Sequence, residues 1–288
     1  MLSTGIWVSI LVNTLTMASM YIMAALGFAF IFNMLGTINL AHGSIYMISA
    51  YIVYAFFAYV GLPTWLSMLI TAIIMAAFGF LLERFAIRPF QDDFDRIIMV
   101  GVALMTIMST TATLISGTKQ LAIPSLATGQ IQAGVLVVSK EKVLMFIIGV
   151  IILAIVLVIV NKTKLGKQMK AVSQDRIGAA LQGIPIYRVA GIVCAIGCAI
   201  AAIAGGLMGA YQGLSTGMGD NINLRILMLV LLAGAGSMNG IIITGLIMAF
   251  LDSFFPVFVQ GTMSSALALL VVIVLLLIRP KGFFGHEV

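Results

Sequence analysis

The chain has 288 residues, of which 15 are Lys or Arg and 9 are Asp or Glu; only 8% are charged while 62% are hydrophobic. A soluble domain averages about 25% charged and 45–50% apolar residues, so a water-soluble fold, a disordered chain and a coiled coil are all excluded. The two cysteines, Cys194 and Cys198, sit in an apolar run, which also excludes a disulfide-rich scaffold.

A membrane helix takes about 20 residues. Apolar runs fall at 6–32, 43–60, 64–83, 97–116, 142–160, 187–211, 222–237, 240–258 and 263–279. The expectation is an all-α polytopic membrane protein of eight to ten transmembrane helices, some of them broken or re-entrant. A single transmembrane domain is expected over 1–288. Met1 to Gly5 carries no basic residue and no cleavage pattern follows, so the first run reads as a retained helix.

The first break in chain order is Asn33 to Gly43, where Asn39, His42 and Gly43 interrupt the apolar pattern. Backbone freed in this way must be satisfied by protein or by a water-filled cavity. Discontinuous helices of this kind often meet substrates. The plain alternative is a tight turn, with Asn39 as a helix cap and His42 snorkelling at the interface. The segment 84–96 mixes Arg84, Arg88 and Arg96 with Asp92, Asp93 and Asp95. The 118–141 loop is expected outside, with a short hairpin between Gly129 and Ser139.

The 161–188 loop holds Lys162, Lys164, Lys167, Lys170, Arg176 and Arg188 against a single Asp175. Basic loops stay in the cytoplasm. Counting spans from it puts the N-terminus outside and the tail, with Arg279 and Lys281, inside. Within it Ser173 reads as an N-cap, Asp175 sits near the positive end of a short helix, Ala179 favours helix, and Gly183 ends it before Ile184. Such a helix suits a groove on a soluble partner.

On the next run Gly197, Ala201, Gly205 and Gly209 recur every fourth residue, a small-residue face for close helix packing within the chain or along a subunit seam. A second break, Gly234, Gly236, Ser237 and Gly240, closes a run too short for a full crossing. Ile222-Asn223-Leu224 before it echoes Ile38-Asn39-Leu40. Arg225 and Asp252 are isolated charges, each costing about 2.5–3.5 kcal/mol at mid-membrane. They are expected near the outer ends of their spans. No phosphate-binding loop and no Cys-x-x-Cys or His-Glu-x-x-His metal spacing occurs. If the chain moves something uphill, the energy comes from elsewhere.

Several of these motifs resemble the branched-chain amino-acid permeases of bacterial ABC importers. Asp175, Ala179, Gly183 and Ile184 stand at the spacings of that family's coupling loop. Asn39-Leu40-Ala41-His42-Gly43 is similar to its Asn-x-Ala-His-Gly signature, followed by Tyr46-Met47 and Ala50-Tyr51. Gly234-x-Gly236-Ser237-x-x-Gly240 and Pro280-x-Gly282-x-x-Gly285 resemble its last two motifs. Two departures stand out: Ala233 replaces a glycine, and Gly219-Asp220-Asn221 is unusually polar.

The resemblance implies a translocation subunit without an ATPase site of its own, binding no cofactor. ATP and Mg would be held by two partner ATPase subunits. A second, related permease and a periplasmic binding protein delivering leucine, isoleucine or valine complete the assembly in the bacterial inner membrane. Ser173, Asp175, Arg176, Ala179, Gly183 and Ile184 would couple to the ATPase. Asn39, His42, Gly43, Gly234, Gly236 and Ser237 would line or gate the path. Urea, short amides or aromatic acids are alternative cargoes within the family, and an ATPase-independent secondary transporter is a rival outside it.

Overall fold

The structure, a computed structural model, describes residues 4–91, 93–117, 119–133, 136–234, 237–280 and 282–284. Eleven α-helices are described: α1 (Thr4–Leu35), α2 (His42–Val60), α3 (Thr64–Leu82), α4 (Phe94–Ser116), α5 (Lys140–Lys162), α6 (Lys164–Gln174), α7 (Arg176–Leu181), α8 (Ile186–Gln212), α9 (Met218–Ala233), α10 (Met238–Phe254) and α11 (Thr262–Ile278). Seven helices among the described residues are long and apolar enough to cross a membrane: α1 to α5, α8 and α10. At 17 residues α11 reaches the lower limit of a crossing, while α9, at 16, falls short of it. The all-α polytopic expectation therefore holds, with each apolar run lying mainly on one of these helices. The expected hairpin forms as β1 (Gln130–Ala133) and β2 (Leu136–Ser139), antiparallel with Gln130 opposite Ser139.

The chain divides into two compact units. One comprises residues 26–124 and 151–223, the other 1–25, 125–150 and 224–288, so α1, α5 and α9 contribute to both.

In the first unit α8 is the central element. Its small-residue face packs within the chain. A Cβ on Gly197 would stand 2.7 Å from the Gly27 carbonyl oxygen of α1, and one on Gly205 would strike the Tyr46 carbonyl of α2. Ala201 is completely buried between them, and Gly209 meets Ala50 and Ile123. A neighbouring stripe packs on α3, where a Cβ on Gly79 would lie 2.8 Å from the Cys198 sulfur. With lipid as apolar as the helices, close backbone approach of this kind is what binds membrane helices. The small column is thus consumed by intrachain packing, and Cys194 and Cys198 act as small packing residues.

In the second unit α9 and α10 meet, with the Ser237 N–H donating to the Gly234 carbonyl at 3.2 Å and the Thr244 hydroxyl to the Leu229 carbonyl at 3.2 Å. Arg225 and Asp252, expected as isolated charges, pair with each other: Arg225 Nε lies 2.8 Å and Nη2 3.2 Å from the carboxylate oxygens. Tyr21 of α1 donates its hydroxyl to the same carboxylate at 2.7 Å. Each charge is thereby supplied with a partner, the condition for carrying one in hydrocarbon.

Candidate functional site: a clamped helix break and a capped surface helix

In the first unit α1 ends at Gly36, whose φ of +67° is the left-handed geometry that glycine allows without strain. Five irregular residues follow before α2 begins at His42. Asn39 does not cap that helix. Its side-chain oxygen accepts the Ala41 N–H at 3.1 Å inside the break, and the N-cap of α2 is Ala41, with no side-chain cap. His42 does not snorkel either: it is wholly buried, with its ring edge-on to Phe28 at 5.8 Å. The tight-turn alternative fails on both residues, because α4 and α9 cover the break from two sides.

The clamp is specific. Asn223 of α9 donates its side-chain N–H to the Leu40 carbonyl at 3.0 Å. A Cβ on Gly43 would strike the Gly219 carbonyl and the Asn223 side chain, so only glycine permits this approach. Gly101 brings α4 within 3.2 Å of the Leu40 nitrogen by the same measure. The Asn39–Asn223 echo in the sequence thus brings two amides to one peptide, a contact that sequence alone had not signalled. Asn39 Nδ2 and Asn223 Oδ1 remain without hydrogen-bond partners although both residues are over nine-tenths buried. A buried polar atom without a partner costs about 1–3 kcal/mol. Both amides are oriented by the bond their other end makes, so a flip would only exchange one orphan for another.

The basic segment of the same unit folds as two helices, not one. Ser173 lies inside α6, where its hydroxyl donates to the Lys170 carbonyl at 2.9 Å; it caps nothing. Asp175 breaks the chain between the helices and caps α7, its carboxylate accepting the Gly178 N–H at 2.9 Å. An acidic side chain meets both the free N–H groups and the positive dipole end there, so the cap falls to Asp175. Gly183, at φ +78°, closes α7 with a Schellman pair: its N–H goes to the Ala180 carbonyl and that of Ile184 to the Ala179 carbonyl, at 2.9 and 3.1 Å.

Ala179 is buried, so it seats α7 on the protein and does not face a partner. Arg176 is held within the chain by a hydrogen bond to Gln91. The outward face consists of Ile177 and Leu181, 75% and 83% exposed. Spacing motifs could not single them out, because which side of a six-residue helix faces out depends on what it rests on. α7 packs against α6 and α8, and Arg176 ties it to Gln91 at the end of the α3 extension, a π turn over Glu83–Ile87 and a 3-10 turn over Arg88–Phe90. From it Gln91 also reaches the Tyr187 hydroxyl at 3.0 Å.

In the second unit Ser237 caps α10, its hydroxyl accepting the Gly240 N–H at 3.0 Å. Gly236 lies outside the described residues. Gly234, with φ +87°, is packed against the tail: a Cβ on Gly282 would stand 2.6 Å from the Gly234 nitrogen. Phe283 and Phe284 donate their backbone N–H groups to the Leu232 and Ala233 carbonyls at 2.8 and 3.1 Å. Gly234 and Gly282, from the last two glycine motifs, therefore meet, and the tail satisfies carbonyls left open at the end of α9; Gly285 lies outside the described residues.

Against known proteins, a permease from Pseudomonas aeruginosa, "High-affinity branched-chain amino acid transport system permease protein BraD", is 29% identical over 96% of this chain and 95% of its own. The LivH proteins of Salmonella typhimurium and Escherichia coli, named for the same transport system, are 28% and 27% identical over 95% of this chain and 94% of theirs. A solved structure, "PsaBC from Streptococcus pneumoniae in complex with Fab", shares the fold with a TM-score of 0.51 at 15% identity, over 96% of this chain and 92% of that one. Residues 10–278 match the family model of the permease component of branched-chain amino acid transport systems, and the chain belongs to that family of multi-pass membrane permeases.

Proposed function

We propose that this chain is the membrane-spanning subunit of an ATP-driven importer in the bacterial inner membrane. It moves branched-chain amino acids handed over by a periplasmic binding protein. It holds no nucleotide; ATP and Mg are bound by two ATPase subunits beneath it, and a related second permease completes the path. The N-terminus lies outside, and the 161–188 loop and the tail lie in the cytoplasm, as its six basic residues favour.

The observation that carries this reading is α7. A six-residue helix is far too short to be stable by propensity. Here it is capped at both ends, seated through buried Ala179 and tied to the α3 extension through Arg176. It is a rigid knob that presents two large apolar side chains on a highly basic segment. An apolar face amid charge suits a groove on a soluble protein. Asp175 and Gly183 shape the knob, Ile184 and Ser173 flank it, and Ile177 and Leu181 make the contact. Closure of the ATPases would be passed to the break at Asn39, His42 and Gly43. There the orphaned amide groups of Asn39 and Asn223 await a polar partner once the clamp opens. Gly234, Gly236 and Ser237 would line or gate the path at a second position.

The test is a mild-detergent pull-down of the tagged chain from its own host, paired with uptake assays. The expected result is co-purification of an ATPase and a second permease. Ile177→Glu with Leu181→Glu should abolish ATPase recovery and leucine uptake while the chain still inserts. A chain that transports alone would establish a secondary carrier and refute the reading.

A further inference from the structure

A cavity of about 570 Å³ opens in the first unit between the end of α3 and the start of α8. Phe80, Ile184 and Ile186 supply apolar wall, and Arg84, Arg88 and Arg188 supply three guanidinium groups. Among the described residues one carboxylate answers them. Glu83, 1% exposed, takes Arg88 in a two-point ion pair at 2.9 and 3.2 Å. That pair, with the Tyr187 ring 4.7 Å from the Arg88 guanidinium carbon, fixes Arg88 in place. Arg84 and Arg188 are exposed and have no acidic partner among the described residues. The π turn at Glu83–Ile87 directs this arrangement, and π turns within helices gather at functional sites.

We propose that this cavity binds an anionic phospholipid, its phosphodiester held by Arg84 and Arg188 and an acyl chain laid along Phe80, Ile184 and Ile186. Guanidinium groups pair with phosphate oxygens through two parallel hydrogen bonds, which favours phosphate over a neutral headgroup. A soluble phosphate would satisfy the arginines but leave the apolar wall uncovered, whereas a lipid satisfies both. The position also fits: α3 and its extension to Phe90 are long and apolar enough to cross a membrane, and the end of a crossing helix is where basic pockets collect acidic lipids. Because Ala180 and Ile184 also line the cavity, a bound lipid braces the C-terminal end of α7 and makes transport sensitive to the acidic lipid content of the leaflet. This inference goes beyond the proposed function and holds whether or not α7 docks an ATPase.

The experiment is native mass spectrometry of the full chain, purified with its associated subunits and titrated with phosphatidylglycerol or phosphatidylcholine. The wild type should retain phosphatidylglycerol in clear preference, and glycerol phosphate should not displace it. Arg84→Gln with Arg188→Gln should retain roughly thirtyfold less, at about fivefold per basic residue. Arg84→Lys with Arg188→Lys should retain most of it. Equal retention of the two lipids, or displacement by glycerol phosphate, overturns the proposal without needing any variant. So does a glutamine pair that keeps the lipid but loses the ATPase subunit, which would make the face a protein contact.

Discussion

Asp175 carries the most informative side chain in the basic segment. Its carboxylate is both the cap of α7 and the point where α6 stops, so it shapes that helix. Asp175→Arg removes the cap, worth about 1 kcal/mol, and places a positive charge at the positive end of the helix. ATPase co-purification and uptake should both fall with insertion unchanged, and Asp175→Ser, which can still cap, should restore most of both. Unaltered uptake in the arginine variant would remove the coupling role from α7. His42 is the residue to test at the break. It fills space against Phe28 and adjoins the small residues of α1, so His42→Ala should impair transport more than assembly. Measuring uptake beside the yield of assembled complex separates the two, and normal transport would return residues 33–43 to a purely structural turn.

At the scale of elements, the pairing of α9 with α10 rests partly on Arg225 and Asp252. Removing one member leaves the other charged in an apolar surrounding, a loss of about 3–5 kcal/mol, whereas replacing both with apolar residues avoids that penalty. Arg225→Met and Asp252→Leu should each lower the apparent Tm of the purified chain, and the double variant should be more stable than either. A double variant worse than both singles would show that the pair has a task beyond mutual neutralisation. The sequence marked these charges as needing a reason, yet they are 27 residues apart on different helices, so their pairing was illegible. The small-residue column was different. Its four-residue period is a property of α8 alone, and close packing follows from it, although its partners, Gly27 and Tyr46, do not.

Over the whole molecule, the orientation proposed from charge can be read directly. The native cysteines are buried, so a single exposed position can be labelled in an otherwise unchanged chain. Gln182→Cys, at the exposed end of α7, should react with a membrane-impermeant maleimide in inside-out vesicles but not in intact spheroplasts; the reverse pattern would invert the topology. What the sequence by itself determined was whatever depends on composition and short-range order. The apolar runs, the hairpin at 130–139, the helix stop at Gly183 and the family motifs are all read within a few residues. Transfer into lipid, turn geometry and capping act over that distance. Only the tertiary structure decided which residues face each other. It moved the cap from Ser173 to Asp175, buried His42 and Ala179, brought Asn223 onto Leu40, and folded the tail onto Gly234. These outcomes rest on contacts between distant segments, and their energies depend on close approach and on satisfying buried polar groups. Neither quantity exists until the helices have packed.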